Sequence, residues 1–420
     1  MLQKVSKTTV KDTAWALFGL GGPTVLQLLY VIAAARGLGP DQFGLLMLCV
    51  AVATVASFVA GVGGDGVALK AVARAHDAVA DYFGQALALI ALTAVPVAVA
   101  SVALTMFLAR VDIPLWLPVS IAISEILFGR VAMTCQKMFI AFSQQARAAL
   151  AGMFVPFARI VSALGVVLVS WQQPLEAFAT AYFVSTFVAM AVCYLYTIHH
   201  LGRPRFNLGK ANIGEGISFA ISWVNTSLQV EADKMILSYF ATPAAVGVYA
   251  LGSRLMDGAF SPPRALRISL QARMMREGAK GHRAVYRFML RIVPISVAYG
   301  FFAWGAIALC APLVVYIFGE DYGELVRILP LLGALPLLRS IADIGAELFV
   351  ASDKVAVSTT IQLITTALRV GIGVVLIRHS GIDGAVGAAL ISTVIAGLIF
   401  WTAATIIDRR QAKNPLPQES

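Results

Sequence analysis

Residues 84–109 read GQALALIALTAVPVAVASVALTMFLA, a run without Asp, Glu, Lys or Arg. Crossing a hydrocarbon core about 30 Å thick takes roughly 20 apolar residues in a helix, so this run is long enough to span a bilayer. A spanning β-barrel would instead alternate apolar and polar residues over segments of about ten. The same unbroken pattern recurs at 14–35, 43–64, 114–136, 148–170, 176–198, 215–240, 244–263, 290–317, 327–351, 356–377 and 384–407. The expected fold class is all-α, a polytopic integral membrane protein with about 12 transmembrane helices.

Composition points the same way. Of 420 residues, 59% are hydrophobic and 13% charged, mean hydropathy is +0.82, and the windows leave no stretch for a soluble domain. The start, MLQKVSKTTVKDTAW, has a basic region, but the apolar run behind it is too long for a signal peptide and lacks a small-residue cleavage site. A retained first span is expected. Most of the 32 Lys and Arg fall on the side of the N-terminus, and the positive-inside rule then puts both termini in the cytoplasm. Much of the net charge of +10 is thus a topology signal. Its densest part, RALRISLQARMMREGAKGHRAVYRFMLR (264–291), is expected as an inner loop between spans eight and nine. Such a loop docks on anionic membrane lipids; nucleic acid is not an expected partner. Cys49, Cys135, Cys193 and Cys310 lack paired spacing and the five histidines lack metal-ligand spacing, so no metal and no cofactor is expected.

An internal repeat organises the chain. GPDQFGLLM joins spans one and two, TPAAVGVYA joins spans seven and eight, and both carry Pro, two residues, an apolar residue, Gly and an apolar residue, at 40–45 and 243–248. LEAFATAYFVST (175–186) resembles IDGAVGAALIST (382–393) at nearly the same separation. Turn chemistry alone would favour Pro and Gly at these positions, but the shared spacing favours a duplicated six-span unit with both copies in one orientation. The expected division is 1–205 and 206–420, two six-helix lobes meeting near HHLGRPRFNLGK. Helix breakers include GLGGPT (19–24), Pro96, Pro156, SPP (261–263), read as the end of span eight, and Pro330 with Pro336.

The windows also hold charge. Arg130, Arg159, Lys234, Arg254, Arg339 and Arg369 face Glu125, Glu231, Asp233, Asp257, Asp343 and Glu347 in number. A charge at the bilayer centre is costly, so such groups pair with each other or meet water. Glu231 with Lys234, Arg254 with Asp257 and Arg339 with Asp343 are three or four apart and can pair along one helix. In LPLLRSIADIGAELF (335–349) the three charges stack on one face. Arg130, Arg159 and Arg369 have no acid at such a spacing. Lobe-internal ion pairs account for part of the set, and a water-filled cavity lined by arginine for the rest. Guanidinium forks bind phosphate oxygens in pairs, so Arg130, Arg159, Arg254, Arg339 and Arg369 are the substrate-binding candidates. Asp343, Glu347 and Asp257 are the ion-coupling candidates. No catalytic residue is expected. GVGGDG (61–66) matches a dinucleotide-binding glycine pattern but follows a membrane helix with no strand before it.

Four segments carry a family resemblance: ARGLGPDQFGLLMLCVAVATVASFVAGVGGDGVALKAVAR (35–74), EADKMILSYFATPAAVGVYALGSRL (231–255), IFGEDYGELVRILPLLGALPLL (317–338) and SGIDGAVGAALIST (380–393). In this order they resemble the polysaccharide transporter, or O-antigen flippase, family of the multidrug/oligosaccharidyl-lipid/polysaccharide (MOP) exporter superfamily. The resemblance implies a multi-pass protein of the bacterial inner membrane. It also implies a flippase that moves an undecaprenyl-diphosphate-linked oligosaccharide outward by alternating access of two lobes. Other polysaccharide-assembly proteins are the partners it implies. Lipid II flippase relatives commonly carry two further spans that are not found here. Competing readings are a drug or cation antiporter of the same superfamily, which would favour an acidic cavity, and a membrane-embedded glycan polymerase or transferase, for which the short outer connections leave no domain. A non-transporting scaffold would retain buried charge to no purpose. Gln27, Asn225, Gln229 and Gln362 are the polar groups available to read a sugar.

Overall fold

The computed structural model describes residues 7–413 except 170, 207, 208, 210, 211 and 280. Every regular element among them is helical: α1 (Lys7–Ser57), α2 (Gly64–Arg74), α3 (Val79–Ala109), α4 (Trp116–Ile123), α5 (Arg130–Ala141), α6 (Gln145–Val167), α7 (Pro174–Leu201), α8 (Ile213–Phe240), α9 (Pro243–Gly278), α10 (His282–Cys310), α11 (Leu313–Phe318), α12 (Gly323–Leu332), α13 (Leu335–Ala351) and α14 (Val355–Lys413), with short 3-10 and π turns between them. Two elements are double. α1 leaves helical geometry at Gly39, before Pro40, and α14 does so at Gly381.

Among the described residues seven helices are long and apolar enough to cross a membrane, or eight when the bent pair Glu320–Leu332 and Leu335–Ala351 is one span. α8 is absent from that set; it carries Glu215, Glu231, Asp233 and Lys234 besides several amide and hydroxyl side chains.

The chain forms two compact units, Met1–Leu251 and Gly252–Ser420. In the first, Phe83, Ala86, Ala132, Cys135, Met138, Phe139, Ala148, Ala151 and Cys193 make a buried core from α3, α5, α6 and α7. In the second, Met274, Val285, Met289, Ile344, Leu348, Phe349, Phe400 and Ala404 do the same from α9, α10, α13 and α14. Lipid offers no hydrophobic drive between helices, so close packing of small residues has to supply it.

The repeated turn motif shows such packing in an unusual form. A Cβ on Gly44 would collide with the Pro243 carbonyl oxygen, and a Cβ on Gly247 with the Pro40 carbonyl oxygen. Each copy of the motif rests its glycine on the other copy's proline. The two contacts are reciprocal, so an added methyl group at either glycine presses on the other segment's backbone.

The SPP triplet does not end span eight. α9 runs through Pro262 and Pro263 to Gly278, so residues 264–278 are helix, and α10 begins at His282. Each proline lacks the N–H that would bond the carbonyl four residues back, which frees Gly258 and Ala259. Ser261 Oγ donates to the Gly258 oxygen at 2.7 Å, and Tyr299 Oη of α10 donates to the Ala259 oxygen at 2.8 Å. Both orphan acceptors are met, and the helix continues.

Candidate functional site

That continuation builds the site. α13 presents Arg339, Asp343 and Glu347 one turn apart, and α9 lies beside it with Arg254, Asp257, Arg264 and Arg267. Arg339 does not pair with Asp343 along its own helix. It reaches across to Asp257 at 3.4 Å, which Arg254 also approaches at 3.6 Å. Asp343 is taken by Arg267 at 3.0 Å, and the same guanidinium lies 3.8 Å from Glu347. The shorter cross-helix contacts displace the local one because α9 carries arginines where a loop was expected. The Arg339 guanidinium also sits 4.7 Å from the Phe260 ring centre.

Four arginines here meet three carboxylates. Arg264 is exposed and makes no ion pair among the described residues. Side-chain exposure separates this group from the rest: Arg339 is 39% exposed and Asp343 30%, against 1% for Arg130 and 8% for Arg159. A partly solvated guanidinium can exchange a carboxylate for a phosphate; a fully enclosed one has to break its pair first.

The first unit holds its charges inside. Glu125 Oε1 accepts from Arg159 at 2.6 Å and from the Tyr182 hydroxyl, while Arg159 Nε donates to Thr186 Oγ1 at 3.0 Å. Glu125 sits in a π-helical turn, Ser124–Gly129, between α4 and α5. The wider turn rotates the carboxylate relative to a regular helix. Asp65 accepts from Arg130 at 2.8 Å and from Lys137 at 2.5 Å. On α8, Glu231 pairs with Lys234 as the spacing predicts, and Tyr249 donates to Asp233 at 2.8 Å. Arg369 is half-buried on the first arm of α14.

Sequence reasoning missed Asp65, Lys137, Arg264 and Arg267. Asp65 lies one residue past the expected end of span two, where GVGGDG turns the chain. Gly61 (φ 75°) and Gly63 (φ 66°) are left-handed, and Gly63 packs against the Gly216 backbone with no room for a Cβ. The turn starts α2 with Asp65 in its first turn, where a helix favours negative charge. The glycines serve this turn and this close approach. Arg264 and Arg267, four and seven residues beyond Phe260, were detectable as the continuation of the face that carries Asp257 and Phe260.

A family model described as polysaccharide biosynthesis protein matches residues 9–257. No curated protein sequence matches the chain. Among solved structures, the chain is similar to an inward-facing multidrug resistance MATE family transporter of the MOP superfamily, at TM-score 0.76 and 15% identity, covering 96% of this chain and 100% of that one. It is similar to the lipid II flippase MurJ in an inward closed conformation, at TM-score 0.76 and 11% identity, covering 93% and 88%. A MOP superfamily transporter from Pyrococcus furiosus, whose binding pocket is described as of reverse polarity, aligns at TM-score 0.61 and 14% identity over 95% of both chains. At these identities the likeness concerns the fold.

Proposed function

Since the chain belongs to the polysaccharide biosynthesis protein family and has the fold of a multi-pass MOP transporter, we propose that it flips an undecaprenyl-diphosphate-linked oligosaccharide across the bacterial inner membrane for surface polysaccharide assembly. The observation that carries this reading is the accessible, arginine-rich face of α9 and α13. Arg264, which has no carboxylate of its own, and Arg339, held by a 3.4 Å contact, are the groups a diphosphate would engage. Guanidinium gives paired hydrogen bonds to phosphate oxygens that ammonium does not. The MurJ likeness supports a lipid-linked cargo, and an excess of cations opposes the drug-antiporter alternative, whose cargo is cationic.

Twelve crossings, cytoplasmic termini, and a duplication boundary at 205/206 with two lobes working by alternating access belong to this proposal. So does ion coupling through Asp343, Glu347 or Asp257. The boundary at 205/206 describes ancestry, whereas Leu251/Gly252 divides packing.

The test is glycolipid translocation in reconstituted vesicles at matched protein level. Arg264→Ala and Arg339→Ala are expected to lose most transport, and Arg339→Ala/Asp257→Ala is expected to stay low. Recovery in that double variant would make Arg339 a structural partner of Asp257 and remove the main support for a phosphate-binding face.

A further inference from the structure

The Asp65 group in the first unit is out of charge balance. Arg130 and Lys137 each pair with Asp65 and with no other carboxylate among the described residues, so two cations share one anion. All three side chains are buried. Arg130 Nε is also buried and donates to no acceptor among the described residues. An excess cation enclosed in a helix bundle is costly unless something negative meets it for part of the time.

Aromatic faces stand in for that anion here. The Lys137 ammonium lies 3.5 Å from the centre of the Trp223 ring. Arg130 lies 5.2 Å from the same ring and 5.1 Å from the Phe58 ring. A π face compensates a cation only in part, and Trp223 is itself half-buried. It sits ten residues into α8, about 15 Å from that helix's start, stacked on Phe219 with ring centres 5.6 Å apart. Asp65, Arg130 and Lys137 stand on α2 and α5, whereas their cap stands on α8.

We propose that Arg130 and Lys137 form a second phosphate-binding site, in the first unit, which takes the diphosphate of a lipid-linked glycan when the Trp223 ring moves aside. Asp65 holds the two cations together and keeps the excess at one charge, so an anion binds and also leaves. The inference rests on the flippase reading for the class of its ligand; the charge excess and its aromatic cap stand without it.

Trp223 reports directly on the site. Trp15, Trp116, Trp171, Trp304 and Trp401 are replaced by Phe, the protein is placed in nanodiscs, and Trp223 emission is titrated with inorganic pyrophosphate and separately with farnesyl diphosphate. Saturable change with either probe is expected, and the comparison tells whether the headgroup alone suffices or the lipid must carry it. Lys137→Met should weaken the response at least about tenfold, the loss of one charge-assisted contact, and Lys137→Arg should restore it. Asp65→Asn should tighten it, because it raises the excess charge. A purely structural ion pair predicts the opposite sign for Asp65→Asn, since loosening the cations would lower affinity. No response to either probe, or equal affinity in Lys137→Met and Asp65→Asn, overturns the proposal. Should vesicles of the wild type move no glycolipid while Trp223 still responds to diphosphate, the flippase reading falls and the anion site remains.

Discussion

Glu125→Ala separates a structural arginine from a substrate-binding one. Arg159 has three partners: Glu125 at 2.6 Å, Thr186 at 3.0 Å and the Tyr182 ring at 3.9 Å. Deleting the carboxylate leaves a guanidinium whose side chain is 8% exposed with a hydroxyl and a π face for company. Breaking a buried pair from one side costs about 3–5 kcal/mol. The two remaining partners put the expected value near the lower end, about 3 kcal/mol. Arg159→Met alone leaves Glu125 with only the Tyr182 hydroxyl and should cost about 2 kcal/mol, the price of an under-bonded buried carboxylate. The double variant holds no buried charge at this site, and Met fills much of the arginine stem's volume. Its cost should fall short of the sum of the singles by about 2–3 kcal/mol. The assay is the midpoint of SDS-induced unfolding in mixed micelles for wild type, both singles and the double. Additivity within about 0.5 kcal/mol would refute the pair as a clamp between α4–α5 and α6, and would return Arg159 to the substrate-binding candidates.

Other outcomes follow from single features. Gly44→Ala and Gly247→Ala should each cut folded yield sharply, whereas Gly371→Ala, where an added Cβ meets nothing within 4 Å, should be neutral; detergent-extracted monodisperse protein is the readout, and equal yields would refute the close crossing. Tyr299→Phe should cost about 1 kcal/mol by orphaning the Ala259 carbonyl, yet become nearly neutral in a Pro263→Ala background, where the restored N–H takes that oxygen; an unchanged cost would mean the hydroxyl acts otherwise. Cys310, the last residue of α10, is exposed while Cys49, Cys135 and Cys193 are buried. A membrane-impermeant maleimide should therefore label Cys310 from outside intact spheroplasts if the basic loops face inward, and labelling only after lysis would reverse the orientation.

What was legible in the sequence was whatever depends on spacing along one helix. The Glu231–Lys234 pair and the Arg254–Asp257 pair follow from local geometry and are present, and of the long apolar runs seven or eight stand among the described residues as helices long enough to cross a membrane. Partners chosen across helices were not legible. Glu125 and Arg159 lie 34 residues apart and Asp65 and Lys137 lie 72 apart, with no periodicity to join them. The Arg339–Asp343 expectation shows how the two kinds of information compete. Spacing permits that pair, but it gives way once α9 continues past two prolines and brings Arg267 to Asp343. Ser261 and Tyr299 make that continuation possible, and a reading that treats SPP as a stop has no way to see a hydroxyl thirty-odd residues on.

The glycine crossing at 44 and 247 locks two distant positions of the chain to each other. Each glycine is seated on the proline of the other segment, so the two contacts stand or fall together. A methyl group gained by either glycine strikes the other segment's backbone, so a change at one position cannot be absorbed by moving the other closer.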